Sequence, residues 1–593
     1  MLQINNFGDT QMLDELMKII NYAYNIINEP INIIYKLEAI NNCKKQLNIG
    51  KTESFGGYYF SLQKHKKEKG VVYTPESIAK FIIENTVKAE DIIRSPFLKI
   101  LDPACGCGNI IIPCFKYLRR IYLENLNEIN NKNNLYLSEA NINLHIINNN
   151  LFGIDIDSFA LKILNLDLLA ESECTNSNNF MIKDFLIDDI QWSYDIIIGN
   201  PPYIGQKAIN KDYSLKLKNL YNKLYKDKGD ISYCFFGAAL DNLKSLGKLT
   251  FITSRYFIES PSGENLRKKL TEDCSIEKIV DFYGVRPFKN AGIDPVIIFI
   301  TKEGKNNEVE VIKPLIKKQA TFLSGLLENK RQSYNNFFIK KSELKNSGWI
   351  LKNEAERKII KKIEKNCEAK LDKICNSYQG IITGCDKAFI IEEQNIREEA
   401  LETDIIRPWI KSSSIEKNLV NKTGKFIIYS DAISDENKYK NSINHIAPFK
   451  EKLMERRECM KGIRSWYQLQ WGRVQNIFEG EKIVFSYKAS NNRFAYDIGS
   501  YFSADVYCLI LKDNNAYSYE FILKLLNSKL YEYYFKAFAK KLGEDLYDYY
   551  PNNLMKLSIP NLHSISGDVD EYLYSLFHIT EEEQKIINEY VTY

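Results

Sequence analysis

Apolar residues near the N-terminus recur at helical spacing: Leu13, Leu16, Met17, Ile20 and Tyr24 share one face within residues 10–45. That pattern predicts an amphipathic helical extension over residues 1–70, closed by the polar, lysine-bearing stretch 63–70. A second helical pattern runs over 76–87, with Thr74 and Pro75 as its cap and first turn. From residue 98 the rhythm changes to apolar strand, glycine turn and helix: 98–101 predicts a strand, 102–109 a turn and 110–123 a helix. Further strands are predicted at 151–154, 194–198, 248–253, 276–282 and 295–301, with helical stretches between them. Such alternation predicts an α/β fold, a doubly wound, mostly parallel Rossmann-like sheet over residues 71–302. The asparagine-rich run 125–150 reads as a surface insertion in the first crossover. Beyond residue 302 the rhythm fades. Residues 303–348 read as a polar linker or bridging segment, and 349–593 as a second, mixed α+β domain rich in interleaved aromatic and basic residues.

Composition narrows the class without choosing the chemistry. The 593 residues are 45% hydrophobic and 26% charged, the balance of a chain able to bury sizeable cores. Eighty basic against 76 acidic side chains leave a net charge of +4, so any nucleic-acid surface must be a local patch. Twelve cysteines follow no metal or disulfide spacing, which points to a reducing cytoplasm and no metal site. No leader pattern opens the chain and no run of eighteen apolar residues interrupts it, so no membrane association is expected.

The candidate chemistry falls at successive strand ends. Asp102-Pro103-Ala104-Cys105-Gly106-Cys107-Gly108-Asn109 forms a glycine-rich turn between strand and helix, where backbone can approach a ligand closely. Alone, such a turn is equally a packing device. Asp155, within Gly153-Ile154-Asp155-Ile156-Asp157, places a carboxylate where two ribose hydroxyls can donate to it. Asp184 can accept from an adenine amino group while Phe185 stacks nearby. For one isolated acid a helix cap is the plainer role, but three strand ends in series favour a nucleotide cofactor. Asn200-Pro201-Pro202-Tyr203 then caps the strand 194–198. An aromatic amine is a poor nucleophile because its lone pair is delocalised into the ring. The Asn200 side-chain oxygen and the Pro201 carbonyl can each take one amino hydrogen, the prolines stiffen the loop, and Tyr203 offers a stacking face. In-line attack on a sulfonium methyl then requires positioning more than a strong base.

The order Tyr73-Thr74-Pro75, Asp102 to Asn109, Asp155, Asp184 and Asn200 to Tyr203 resembles gamma-class amino-methyltransferases over roughly residues 70–300. Within that class it is similar to the solitary adenine methyltransferases of spore-forming clostridia, from which a longer N-terminal extension departs. The resemblance implies S-adenosyl-L-methionine as cofactor. Tyr73, Thr74, Asp102, Ala104, Cys105 and Gly106 would face its methionine part, Asp155 with Ile156 its ribose, and Asp184 with Phe185 its adenine. It also implies N6 of an adenine extruded from double-stranded DNA as the target, with Phe288 and Tyr203 sandwiching the base. The segment Gln379-Gly380-Ile381-Ile382-Thr383-Gly384 is similar to the specificity domains of these enzymes. There Arg456, Arg457, Arg464, Arg473 and Lys488 are candidates for phosphate or guanine contacts, and Trp466, Tyr467 and Gln470 for base edges or backbone. The expected protein is a cytoplasmic, site-specific DNA methyltransferase that acts as a monomer on DNA.

Enzymes that methylate a protein glutamine amide or an RNA base share this tetrapeptide and form the alternative; they do not call for a large C-terminal recognition domain. About 70 residues precede Tyr73, fewer than a nuclease domain takes up, so cleavage is not expected.

Overall fold

The computed structural model describes residues 5–591 apart from 63–72, 175–177, 192, 227–228, 289–293, 316–319, 514–515 and 543–545, and the side chains of 5–10 and 207 are likewise left out. The chain divides into two units, Met1–Leu351 and Lys352–Tyr593.

In the first unit, β1 (Ile100–Asp102), β2 (Leu151–Asp155), β3 (Phe180–Ile182), β4 (Tyr194–Gly199), β5 (Leu243–Ser254), β6 (Cys274–Asp281), β7 (Pro295–Lys302), β8 (Glu308–Pro314) and β9 (Tyr334–Lys340) build one sheet. Among the described residues their order is β3-β2-β1-β4-β5-β7-β6-β8-β9. β3 to β5 run parallel, with Leu101 opposite both Phe152 and Ile197. β7 inserts antiparallel between β5 and β6, pairing Ile252 with Ile297 and Ile279 with Ile298. The apolar run of β4 is continuous because both of its faces are covered. Ile196 and Ile198 join the core formed with helices Glu76–Thr86 and Ile111–Glu124, while Ile197 joins the opposite core with Phe236 and Phe251. The six strands expected from the apolar pattern are present, and the sheet is mixed where β7, β8 and β9 join it.

Two segments differ from the sequence reading. Residues 303–348, read as a linker, carry β8 and β9, which extend the sheet beyond β6. Val309, Val311, Ile312 and Ile339 are buried, but Glu308, Glu310, Asn335 and Asn336 are interleaved with them and hid the strands. The run 125–150, read as a surface insertion, lies on the surface only in part: residues 134–141 are largely exposed, but in the helical segments on either side Ile129, Ile142, Ile146 and Ile147 are buried. Asn150, also buried, donates to the carbonyls of Pro96 and Leu98 at 2.9 and 2.8 Å.

The N-terminal residues form α1 (Asn5–Asn28), α2 (Ile33–Gln46) and α3 (Phe55–Leu62). Their apolar face, including Leu16, Ile20, Ile40 and Phe55, shares a core with Ile163, Leu166 and Leu169 of the helix Ser158–Ser172. Asp167 of that helix accepts from the first N–H groups of α3, Phe55 and Gly56, both at 2.9 Å. A side chain distant in sequence thus caps α3.

The second unit is α+β. A four-stranded antiparallel sheet runs in the order Cys375–Gln379, Val506–Leu511, Glu481–Ser486, Phe494–Ile498. A second four-stranded sheet joins Ile390–Glu392, Lys425–Ile428, Ile406–Ile410 and Tyr501–Phe502, the last pair parallel and the others antiparallel. In the helix Lys529–Lys536, Tyr531, Tyr533, Tyr534 and Phe535 are buried.

Candidate active site

The parallel order brings the C-terminal ends of β3, β2, β1 and β4 to one edge, so Asp184, Asp155, Asp102 and Asn200 follow one another along it. The turn after β1 is held from β2. Cys105 N–H donates to the Ile154 carbonyl at 3.0 Å, and Gly106 N–H donates to Asp155 Oδ2 at 2.8 Å. Gly106 and Gly108 have φ of +50° and +88°, a region that L side chains enter at a cost. Gly153 is required for a different reason: a Cβ there would lie 2.8 Å from Cys105 Sγ. Cys105 is therefore a buried packing residue under the turn, and Ala104 is partly exposed on it.

Asp102 is 2% exposed and accepts from Ala104 N–H at 3.1 Å. Burial pushes its carboxyl up to about 8 despite that bond, and the nearby Asp155 adds to the rise. Asp155 accepts a second N–H, from Asp157, at 2.8 Å. It too is raised by burial, against the backbone donors that favour its charge. The next residue, Ile156, is 75% exposed, an apolar face beside a carboxylate. Asp184 accepts from Leu186 N–H at 3.0 Å and from Tyr213 OH at 2.9 Å. A ribose and a purine fit this set: an anchored carboxylate, an exposed aliphatic face and a second acceptor one strand further on.

Asn200 is held on both sides of its amide. Its Nδ2 donates to Thr74 Oγ1 at 3.0 Å, and its Oδ1 accepts from the Tyr203 hydroxyl. Thr74 is 3% exposed. In this geometry it serves the Asn200 amide, a role the sequence reading, which gave Thr74 to the cofactor, did not include. Tyr73 stacks on Phe60 with ring centroids 4.6 Å apart. It also lines a cavity of about 500 Å³ with Ser54, Tyr58, Ser61, Cys107 and Asn109, so α3 forms a wall behind the glycine turn.

Three aromatics expected to stack on ligands are closed against the protein. Phe185 is 4% exposed and stacks on Phe235 at 5.8 Å. Phe288 lies in the core with Phe282 and Val280, at 5% exposure, and the motif residues 289–292 after it lie outside the described residues. Tyr203 is 9% exposed, with its hydroxyl between Asn200 Oδ1 and the Ile252 carbonyl, and burial raises it well above the usual phenol range. Burying a Phe side chain is worth about 1.5–3 kcal/mol, which opposes its presentation as a free face. Pro201 is buried and Pro202 half-buried beside them.

At the ends of β5 and β6, buried Asp281 takes a two-pronged contact from Arg255, at 3.0 and 3.2 Å. Lys313 Nζ lies 3.6 Å from Asp281 and 3.8 Å from the centre of the Tyr283 ring. Burial alone would raise Asp281, but Arg255 and Lys313 hold it below the usual carboxylate range. The sequence reading missed this cluster and Tyr213, because single charges and a helical tyrosine carry no local pattern.

In the second unit the eight candidate DNA contacts separate by burial. Arg456 donates to the carbonyls of Leu453, Thr383, Trp466 and Gln468 at 2.8 to 3.2 Å. Arg473 bonds the Gly380 carbonyl at 3.1 Å and Gln379 Oε1 at 3.0 Å. Both therefore fasten the Gln379 to Gly384 segment, a use of arginine as a multi-donor fork. Arg464 pairs with Asp431 at 2.6 Å, Gln470 bonds Glu458 at 3.1 Å, Tyr467 is buried, and Trp466 packs edge-on to Tyr467 under Lys450. Arg457 and Lys488 are exposed, and Met460, Ile463 and Val474 present apolar surface in the same stretch of chain as Arg457.

This sheet order, with acids at successive strand ends and Asn-Pro-Pro-Tyr after β4, defines a class I methyltransferase fold joined to a second, α+β unit. Residues 149–288 match the family described as Eco57I restriction-modification methylase, residues 91–190 the MmeI DNA-methyltransferase domain, and residues 407–559 the TaqI-like C-terminal specificity domain. The chain is thus similar in its first unit to type II restriction-modification methyltransferases and over residues 407–559 to a TaqI-like specificity domain. It is 24% identical over 517 residues to the type II methyltransferase M.BanIII of Aneurinibacillus aneurinilyticus, covering 78% of this chain and 84% of that protein. It is 25% identical to the restriction enzyme and methyltransferase RM.Eco57I of Escherichia coli, of which it spans 54%. The structure of the type IIL restriction-modification enzyme MmeI in complex with DNA superposes with a TM-score of 0.59 at 15% identity, over 85% of this chain and 70% of that one. Among the described residues no helix is long and apolar enough to cross a membrane.

Proposed function

We propose that this protein transfers a methyl group from S-adenosyl-L-methionine to N6 of an adenine extruded from double-stranded DNA, at sites chosen by its second unit. The observation that carries this reading is the Asn200 amide, fixed between Thr74 and Tyr203 at the end of β4. Bound, the cofactor supplies an electrophilic methyl on a sulfonium centre. Asp155 would accept from its ribose hydroxyls, Ile156 would offer an apolar face beside them, and Asp184 would accept from its adenine. Asn200 Oδ1 and the Pro201 carbonyl each accept a hydrogen bond from the target amine, drawing its lone pair out of the ring. Tyr203 must release Asn200 Oδ1 for that, and Phe288 must leave the core to cover the opposite face of the base. Arg457 and Lys488 contact DNA. The protein works in the cytoplasm as a monomer on DNA, as in the gamma-class solitary methyltransferases of clostridia that its sequence resembles.

The purified chain with labelled S-adenosyl-L-methionine and separate duplex DNA, RNA and protein substrates tests the assignment. Label in DNA at N6 of adenine, lost in Asn200→Ala while DNA binding persists, is the expected result. Label confined to RNA or protein refutes it.

A further inference from the structure

Tyr213 lies on the helix Lys211–Leu220, which follows the Asn200 loop and starts from an Asn210 cap. Its hydroxyl donates to Asp184 Oδ2 at 2.9 Å, while Leu186 N–H donates to Oδ1 at 3.0 Å. Tyr221, just past the end of the same helix, donates to the Leu186 carbonyl at 2.8 Å. The start of the connecting segment is tied down as well, with Ile231 N–H donating to the Ile204 carbonyl at 3.1 Å. The chain between the target loop and this helix is therefore anchored at both ends, and one anchor is the Asp184 carboxylate.

An ionised carboxylate has about four lone-pair directions, so the two donors fix its plane and still leave acceptor capacity. A hydrogen bond to a charged group is also the strong kind. We propose that Tyr213 is a positioning residue for purine recognition: it acts through Asp184, holding the carboxylate so that its remaining lone pairs meet the 6-amino group of the cofactor's adenine. This rests on the reading of Asp184 as the adenine acceptor. Burial and the adjacent Asp184 both raise the Tyr213 phenol, which keeps it a donor.

The test measures affinities by calorimetry on the full chain with two probes. These are S-adenosylhomocysteine and S-inosylhomocysteine, in which a 6-oxo group replaces the 6-amino group. The wild-type chain is expected to favour the adenosyl probe about 10- to 100-fold, the range for a hydrogen bond to a charged group. Tyr213→Phe should weaken the adenosyl probe about tenfold and leave the inosyl probe nearly unchanged, so the ratio shrinks. Tyr221→Phe, which removes the other hydroxyl anchor and leaves Asp184 untouched, should keep the wild-type ratio. Asp184→Asn should shrink the ratio without altering Tyr213, which gives a second reading if Tyr213→Phe folds poorly. Equal weakening of both probes in Tyr213→Phe, or an unchanged ratio, overturns the proposal by reducing Tyr213 to a packing residue. A wild-type chain that binds both probes equally overturns the Asp184 reading, and one that binds neither overturns the cofactor.

Discussion

Thr74→Val separates a role in orienting Asn200 from a role in holding the cofactor. The substitution keeps the branched shape and replaces Oγ1, on a side chain only 3% exposed, with a methyl group, so Asn200 Nδ2 loses the hydrogen bond it makes there at 3.0 Å. Removing an acceptor from a partly buried donor costs on the order of 1–3 kcal/mol. The amide can relieve this by rotating Oδ1 away from the target, and that rotation removes an acceptor from the reacting nitrogen. At about 1.4 kcal/mol per decade, kcat should fall about 5- to 150-fold. Affinity for S-adenosylhomocysteine should change less than about twofold, because the Asp155 and Asp184 contacts stay as they are. Single-turnover methylation of a duplex carrying the recognition sequence gives the first number and calorimetry the second. Thr74→Ser restores an acceptor and should recover most of the rate. An affinity loss as large as the rate loss would refute the orienting role and return Thr74 to the cofactor.

Three further outcomes follow from the geometry. Asp102, raised to about 8, is neutral near pH 7; if its carboxylate must face the cofactor's ammonium group, affinity should rise with pH up to about 8. Binding at pH 7 should then release a proton, visible as a dependence of the calorimetric enthalpy on buffer ionisation. Because the folded value lies above the unfolded one, Asp102 favours the fold at low pH, and that contribution is lost as pH rises toward 8; Asp102→Asn should flatten both dependences. Asp167→Ala leaves the Phe55 and Gly56 N–H groups without their acceptor, at about 1–3 kcal/mol each, and hydrogen exchange should rise selectively over residues 55–62. Arg456→Ala should lower the melting temperature of the second unit, whereas Arg457→Ala should leave it unchanged and reduce the salt dependence of DNA binding by about one ion.

Much of the first unit was legible because strands buried on both faces announce themselves. The continuous apolar run of β4 and the ends of β1 and β2 placed Asp102, Asp155 and Asn200 on one edge. β8 and β9 escaped notice because charged residues or asparagines are interleaved with their buried apolar positions and break the continuous run. The resemblance supplied residue types at the site but not their partners. Thr74 was given to the cofactor by the resemblance, and only the fold sets it against Asn200, 126 positions away. Arginine defeats sequence reading most plainly: Arg456 and Arg457 are adjacent, yet one is spent on backbone carbonyls and the other is exposed. Phe185, Phe288 and Tyr203 were read as open faces, but a large ring gains more by burial than by waiting in water.

The grip of Arg456 and Arg473 on the Gln379 to Gly384 segment bears on how sequence preference can be altered. Gly380 has no room for a side chain, since a Cβ would lie 2.2 Å from the Ser503 carbonyl oxygen, and Gly384 packs against Arg456. Randomising these positions would yield unfolded libraries rather than new specificities. Diversity is better introduced at Arg457, Met460, Ile463 and Val474, which are exposed and whose replacement leaves that clasp intact.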